Sequence, residues 1–292
     1  MTKTSRAQLA VALGAAACLP FMAVKAGPPN APITEASIRK GLVLHLTFDQ
    51  NESGGKVADS SGRGNHGKAS GVRWTAEGRK GGAYEFTADG NRIEVLNHAS
   101  LNPQQLTLAA WIKTSTADGQ WRRIIDKSYP QGFALSIAAD WQGNKWNGLA
   151  SLEIGPGTHF SLTRTMVADG QWHQVVATFD GVEQLLFVDG KPQGWPVRWE
   201  GPRKVGTNSF NLVIGCDRSD VGPKDLGVSF RGLIDEPMLW NRALSLREVA
   251  FLFDSQTGAA SLAAGVGAGK PTAKPPPGVP GADEKDARPL AP

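Results

Sequence analysis

Between Asp169 and Lys191 the chain reads DGQWHQVVATFDGVEQLLFVDGK. His173, Val175, Ala177 and Phe179 fall on one parity and Trp172, Gln174, Val176 and Thr178 on the other, the two-residue period of a strand. Asp180-Gly181 and Asp189-Gly190 supply residues that tolerate positive φ, so each can reverse the chain. The stretch therefore predicts strand, turn, strand and turn. Two strands cannot bury a face by themselves, so this hairpin requires a larger sheet drawn from the rest of the sequence.

The rest supplies it. Leu42, Leu44, Leu46 and Phe48 alternate with Val43, His45 and Thr47 in a first strand that ends at Asp49. Short strands are predicted at 83–86, 92–95, 106–113, 124–127, 133–137, 149–154, 159–164, 210–215, 228–235 and 238–240. With Gly, Asp and Asn between them and no long helical period, they argue for an all-β, two-sheet antiparallel sandwich. Pro237 cannot donate to a ladder and is expected at a bend or an unpaired side. Ser245-Leu246-Arg247-Glu248 forms a capping box, predicting a short C-terminal helix to about Asp254 that packs Val249, Leu252 and Phe253 on the sandwich.

The string D-G-x-W-H-x-V-x-A-T-x-D-G followed by F-V-D-G-K resembles the laminin-G-like, concanavalin A-like jelly-roll domains. GLIDEPMLWNRALSLREV is similar to the stretch that closes them, and the resemblance spans roughly residues 40–255. It implies a jelly roll. This scaffold serves lectins, adhesion modules, glycosidases and lyases alike, so the resemblance leaves the function open.

Residues 1–26 have a basic start at Lys3 and Arg6, an Ala/Leu-rich run broken by Pro20, and Val24-Lys25-Ala26 before Gly27, the layout of a signal peptide with an A-x-A-like cleavage site. The run is too short and too alanine-rich for a membrane span. A lipoprotein attachment at Cys18 is the other reading. The expected organisation is therefore a signal peptide over 1–26, a linker over 27–39, a laminin-G-like domain over 40–257 and a Pro/Gly-rich disordered tail over 258–292. The mature chain is expected outside the cytoplasm, secreted, periplasmic or at the cell surface, as a monomer. Its formal charge of +4 falls to about +1 once Lys3, Arg6 and Lys25 leave with the leader, which excludes a nucleic-acid partner on charge grounds. Cys216 is then a lone cysteine, read as a small buried core residue.

For catalysis the sequence offers little. Glucanases of the resembled fold carry E-x-D-x-E on one strand, and no such string occurs; Asp235-Glu236 is the nearest pair, but neighbours on a regular strand point to opposite faces. No H-E-x-x-H or G-x-S-x-G is present. Gly62-x-Gly64-x-x-Gly67 lacks the strand–helix context of a dinucleotide loop. The chain is therefore read as a non-enzyme. The resemblance implies a structural calcium ion beside the first and last strands, with Asp49, Asn65 and Asp235 as its ligands; turn and strand-end roles are the alternative for the two aspartates. A carbohydrate ligand is placed at Trp141, Asn144 and Trp146 of DWQGNKW and at Trp195 and Trp199 of WPVRW. Aromatic faces take C–H surfaces and amides take hydroxyls, whereas rings that only cover the sandwich ends would be the other explanation. An extracellular protein partner, in an adhesion or scaffolding role, is the alternative, and a glycoside hydrolase or lyase is a third.

Overall fold

The computed structural model describes residues 32–156, 159–199, 201–218 and 226–258; the segments read as signal peptide and, from residue 259, as tail lie outside the described residues. In chain order, α1 (Glu35–Arg39) precedes β1 (Leu42–His45), β2 (Lys56–Val57), β3 (Gly67–Ser70), β4 (Arg73–Thr75), β5 (Ala83–Phe86) and β6 (Arg92–Val95). Then come β7 (Leu106–Lys113), β8 (Arg122–Asp126), β9 (Phe133–Ile137), β10 (Leu149–Ile154), β11 (His159–Met166), β12 (Trp172–Phe179), β13 (Glu183–Val188) and β14 (Lys191–Arg198). β15 (Leu212–Ile214), β16 (Cys216–Arg218), β17 (Leu226–Ser229), β18 (Gly232–Trp240) and α2 (Leu246–Thr257) complete it.

Two sheets form. One runs β14-β13-β12-β7-β18-β5-β4 with β1 also on β18; the other runs β11-β10-β9-β8-β15-β6-β3-β2 and carries the β16–β17 pair. Pairing is antiparallel except for a parallel bridge between β17 and β8. The fold is a two-sheet sandwich, as the strand spacing predicted, and a jelly roll, as the resemblance implied. β12 and β7 pair without a slip from Trp172↔Lys113 to Phe179↔Leu106. Val175, Ala177 and Phe179 consequently face the inter-sheet core with Leu108, Ala110 and Ile112.

The opposite parity is also buried. Ala109, Val176, Phe187, Met238 and Trp240 form a second cluster on the outer face of the first sheet, closed by Ile38 of α1 and Val249 and Leu252 of α2. Ser245 accepts from Glu248 N while the Glu248 carboxylate takes Ser245 N, so the capping box starts α2 as predicted, and the helix runs on to a left-handed Gly258. Phe253 stacks on Trp111 at 5.7 Å between centroids. Trp111 is thus buried against this helix rather than between the sheets. The span read as linker 27–39 needs correction. Thr34 and Ser37 make a reciprocal capping box for α1, and Trp240 Nε1 donates to Ile38 O at 2.8 Å, so the domain begins before residue 40. Cys216 is buried, as expected, and its thiol donates to Asp217 O at 3.2 Å.

Candidate ligand-binding face

The outer face of the second sheet is built by register. Phe160 pairs with Glu153, Glu153 with Ala134 and Ala134 with Asp126, so these four form one cross-strand row. Leu162, Ser151, Ser136 and Arg123 form the next. Arg123 and Asp126 are three residues apart and would face opposite ways on a regular strand. A bulge between Arg123 and Ile125 turns both to the outside.

The polar side chains on this face are tied into one network. The Arg123 guanidinium donates to Glu153 Oε2 and, at 2.8 Å, to Ser136 Oγ, while Ser151 Oγ donates to Glu153 Oε1 at 2.8 Å. Arg123 Nε lies 3.6 Å from Asp126 Oδ2 and 3.8 Å from Asp217 Oδ1, and its guanidinium carbon sits 5.5 Å from the Tyr129 ring centroid. All three central groups are enclosed: Arg123 is 7% exposed, Glu153 3% and Asp126 0%. Burial disfavours the Arg123 cation, yet Glu153, Asp126 and Asp217 outweigh it and hold the guanidinium protonated. Burial pushes the Asp126 carboxyl up to about 8 against the pull of Arg123. At neutral pH Asp126 thus keeps its proton beside the Arg123 guanidinium, which is hydrogen-bonded to Glu153.

Aromatic rings flank this network. Residues 138–148 join β9 to β10, and at their tip Trp141 and Asn144 exchange backbone hydrogen bonds of 3.2 and 2.9 Å around a turn in which Gln142 and Gly143 both have positive φ. That is the backbone of a two-residue primed turn. The Asp140 carboxylate staples the tip by accepting from Trp146 N, Asn147 N and Lys145 Nζ. Trp141 and Trp146 meet edge to face at 6.3 Å, Phe160 lies 6.0 Å from Trp141 and 5.2 Å from Trp146, and Trp121 meets Phe160 at 6.0 Å. Trp146 is buried, whereas Trp121, Trp141 and Phe160 remain half-exposed.

Of the residues expected to bind a ligand, Trp141, Asn144 and Trp146 therefore come together. Trp199 instead packs against the main core, with the Arg203 guanidinium 5.2 Å from its ring. Trp195 falls in β14, and its side chain lies outside the described residues. Phe160, Trp121, Arg123, Asp126 and Glu153 were not singled out by sequence; the available signal was charge inside apolar strands, RRIID and LASLEI.

The residues expected to bind calcium divide. Lys80 N donates to Asp235 Oδ2 at 2.9 Å, and a side chain at Gly81 would collide with the Asp49 carboxylate, so Asp49 and Asp235 both abut the 78–82 loop. Asp235 is fully buried, its Oδ1 has no hydrogen-bond partner, and burial pushes the carboxyl up to about 8. Asn65 is elsewhere: its amide nitrogen donates to Val43 O at 2.7 Å and to Ser100 Oγ at 3.1 Å. Among the described residues no three Asp, Glu, His or Cys side chains converge on one point. The expectation that Asp235 and Glu236 point apart needs correction. β18 slips register between Asp235 and Met238, Glu236 takes φ 51°, and both carboxylates reach Lys80, one at its backbone N and one 3.7 Å from Nζ.

Residues 80–250 match the family model described as the concanavalin A-like lectin/glucanases superfamily. No curated protein matches the sequence significantly. Among solved structures, the binding domain of Paraclostridial Mosquitocidal Protein 1 aligns with a TM-score of 0.59 at 18% identity, over 75% of this chain and 53% of that one. Domain 4 of AbnA, a GH43 extracellular arabinanase from Geobacillus stearothermophilus in complex with arabinotriose, aligns at 0.54 and 19%, over 72% and 97%. A structure of botulinum neurotoxin type C, whose cell entry is described as dependent upon interaction with two ganglioside molecules, aligns at 0.59 and 13%, over 76% and 53%. The chain thus spans about half the length of the two toxin chains. At these identities the likeness is one of fold.

Proposed function

The chain belongs to the concanavalin A-like lectin/glucanases superfamily, and from that premise we propose that it is an exported, non-catalytic binding module whose ligand is a carbohydrate. The observation that carries this reading is the half-exposed set Trp121, Trp141 and Phe160, which continues the Glu153 row of the second sheet. Such rings offer apolar faces to sugar C–H surfaces, and the stapled 140–147 tip fixes one of them before a ligand arrives. The arabinotriose complex of the arabinanase domain and the ganglioside interaction of the neurotoxin support the same class of ligand. Export is supported by the leader motif; among the described residues no helix is long and apolar enough to cross a membrane.

Two carboxylates on one face invite a hydrolase reading. Asp126 and Glu153 are two strands apart on the same row, which separates their Cα atoms by about 10 Å. Arg123 stands between them, and the Glu153 carboxylate is spent on Arg123 and Ser151. A base or nucleophile needs a free oxygen toward the substrate, so this geometry favours binding.

A structural calcium ion belongs to the proposal. The orphaned Asp235 Oδ1 and the Asp49 carboxylate, which abut the same 78–82 loop, would offer carboxylate oxygens to a hard cation; Asn65 would not be among its ligands, and backbone carbonyls and water would complete the six to eight oxygens required. Binding to the native state alone must raise the melting temperature. Calcium is expected to raise the Tm of the wild type and not that of Asp235→Ala; equal responses would remove calcium from the reading. For the ligand, a melt against a panel of soluble polysaccharides tests the assignment. One should raise the Tm of the wild type without release of reducing ends, and Trp141→Ala should lose that shift. A shift that survives Trp141→Ala would place the site elsewhere, and released reducing ends would make the protein an enzyme.

A further inference from the structure

The opposite side of the sandwich holds a cavity of about 210 Å³ on the outer face of the first sheet between α1 and α2. Ile38, Leu42, Met238, Trp240 and Leu252 wall it, and each is at most 4% exposed. Against this apolar wall stands the Glu236 carboxylate, whose side chain is 0% exposed. His45 Nε2 lies 2.7 Å from Glu236 Oε2, and Gln256 Nε2 donates to the same oxygen at 3.0 Å. Gln256 is held in that orientation because its own Oε1 accepts from Trp111 Nε1 and Gln174 Nε2, both at 2.8 Å. Among the described residues, none donates a hydrogen bond to Glu236 Oε1. The cation nearest to it, Lys80 Nζ, stays 3.7 Å away on a side chain that is 51% exposed.

A buried carboxylate oxygen without a donor is costly, and the backbone around it is itself held in a left-handed conformation by the bulge. Elements that maintain such a group position it for something that binds. We propose that this cavity is a binding site for the primary ammonium group of an aliphatic amine, with Glu236 Oε1 as its acceptor and the apolar wall covering its alkyl stem. A cation is favoured over a hydroxyl because Oε1 lacks a hydrogen bond while Lys80 Nζ stops at 3.7 Å, so an ammonium in the cavity would add a donor and an opposite charge at one point. Calcium is disfavoured here, since the oxygen-bearing side chains of the lining, Glu35, Glu236, Ser255 and Gln256, are too few for its six to eight ligands and share the cavity with Arg39 and Lys80. Glu35 adds a second carboxylate to the lining, and the Arg39 guanidinium, also in the lining, is engaged by Ser60 O at 2.7 Å. Lys80 acts as a loose internal competitor at the entrance.

The test is a titration of the full chain with n-butylammonium, and with n-butanol as the isosteric neutral control, in saturating calcium so that the Asp49–Asp235 site is held constant. The readout is the Gln256 side-chain amide resonance. Butylammonium should shift it and butanol should not; Glu236→Gln should abolish the shift; Lys80→Met, which keeps the backbone bond to Asp235, should tighten binding by about tenfold. An equal response to butanol, no response to either probe, or an unchanged shift in Glu236→Gln would overturn the proposal. If Glu236→Gln fails to fold, Lys80→Met decides: an affinity equal to that of the wild type refutes the site.

Discussion

Three side chains bear most directly on the chemistry of the chain, and each has a sign that can be checked. Asp126 keeps its proton to about pH 8 in the folded state because it is buried, whereas the unfolded chain releases it near the ordinary value of 3.8. The group therefore weakens the fold progressively as pH rises through that window. Asp126→Asn keeps an acceptor for Ser128 N and should be more stable than the wild type near neutral pH, with the advantage vanishing below about pH 4, as followed by urea denaturation. His173 has the opposite standing. Hydrogen bonds to Asp189 and Asp169 raise its pKa above 6.5 against burial, so its contribution is complete below about pH 6.5 and lost as pH rises through the folded value. His173→Gln should cost stability at pH 5 and progressively less at high pH. Burial would raise the pKa of Asp59, but it gathers His45 N, Ser61 N and Asn65 N and those bonds lower it, so this loop should hold until pH falls below about 3.8 and loosen only as it passes through the lowered folded value.

At the scale of elements, the strands were legible and the bulges were not. β5, β6, β7, β9 and β10 begin and end where alternation and turn residues put them. A period-two reading assigns a face to every residue, however, and fails where register slips. The Arg123–Ile125 bulge creates the Arg123–Asp126 pair, and the Asp235–Met238 bulge turns Glu236 beside Asp235. Trp141 and Trp146 were visible in DWQGNKW, but their partner Phe160 comes from β11, and only pairing identifies it. α1 was missed because five residues are too few to show a helical period. The caps remain good levers. Ser245→Ala should cost about 1 kcal/mol in chemical denaturation by removing the N-cap of α2. Gly143→Val, at φ 81°, should distort the tip and weaken ligand binding while leaving the Tm close to that of the wild type, because nothing of the inter-sheet core lies there.

Across the whole molecule, the sandwich carries different equipment on its two outer faces. The first sheet is covered by α1 and α2 and holds the Glu236 cavity; the second presents aromatic rings over an enclosed Arg123–Glu153 pair. The fold could be read from sequence because it follows from many short alternating runs, each sufficient for its own strand. The binding face could not, since it depends on five chain segments meeting in register. The most direct measurement is the structure of the protein in complex with the oligosaccharide that stabilises it best. The account expects a sugar ring laid against Trp141 and Phe160 with hydroxyls toward the Glu153 row. An oligosaccharide bound away from those rings, with Trp121, Trp141 and Phe160 left bare, would contradict it.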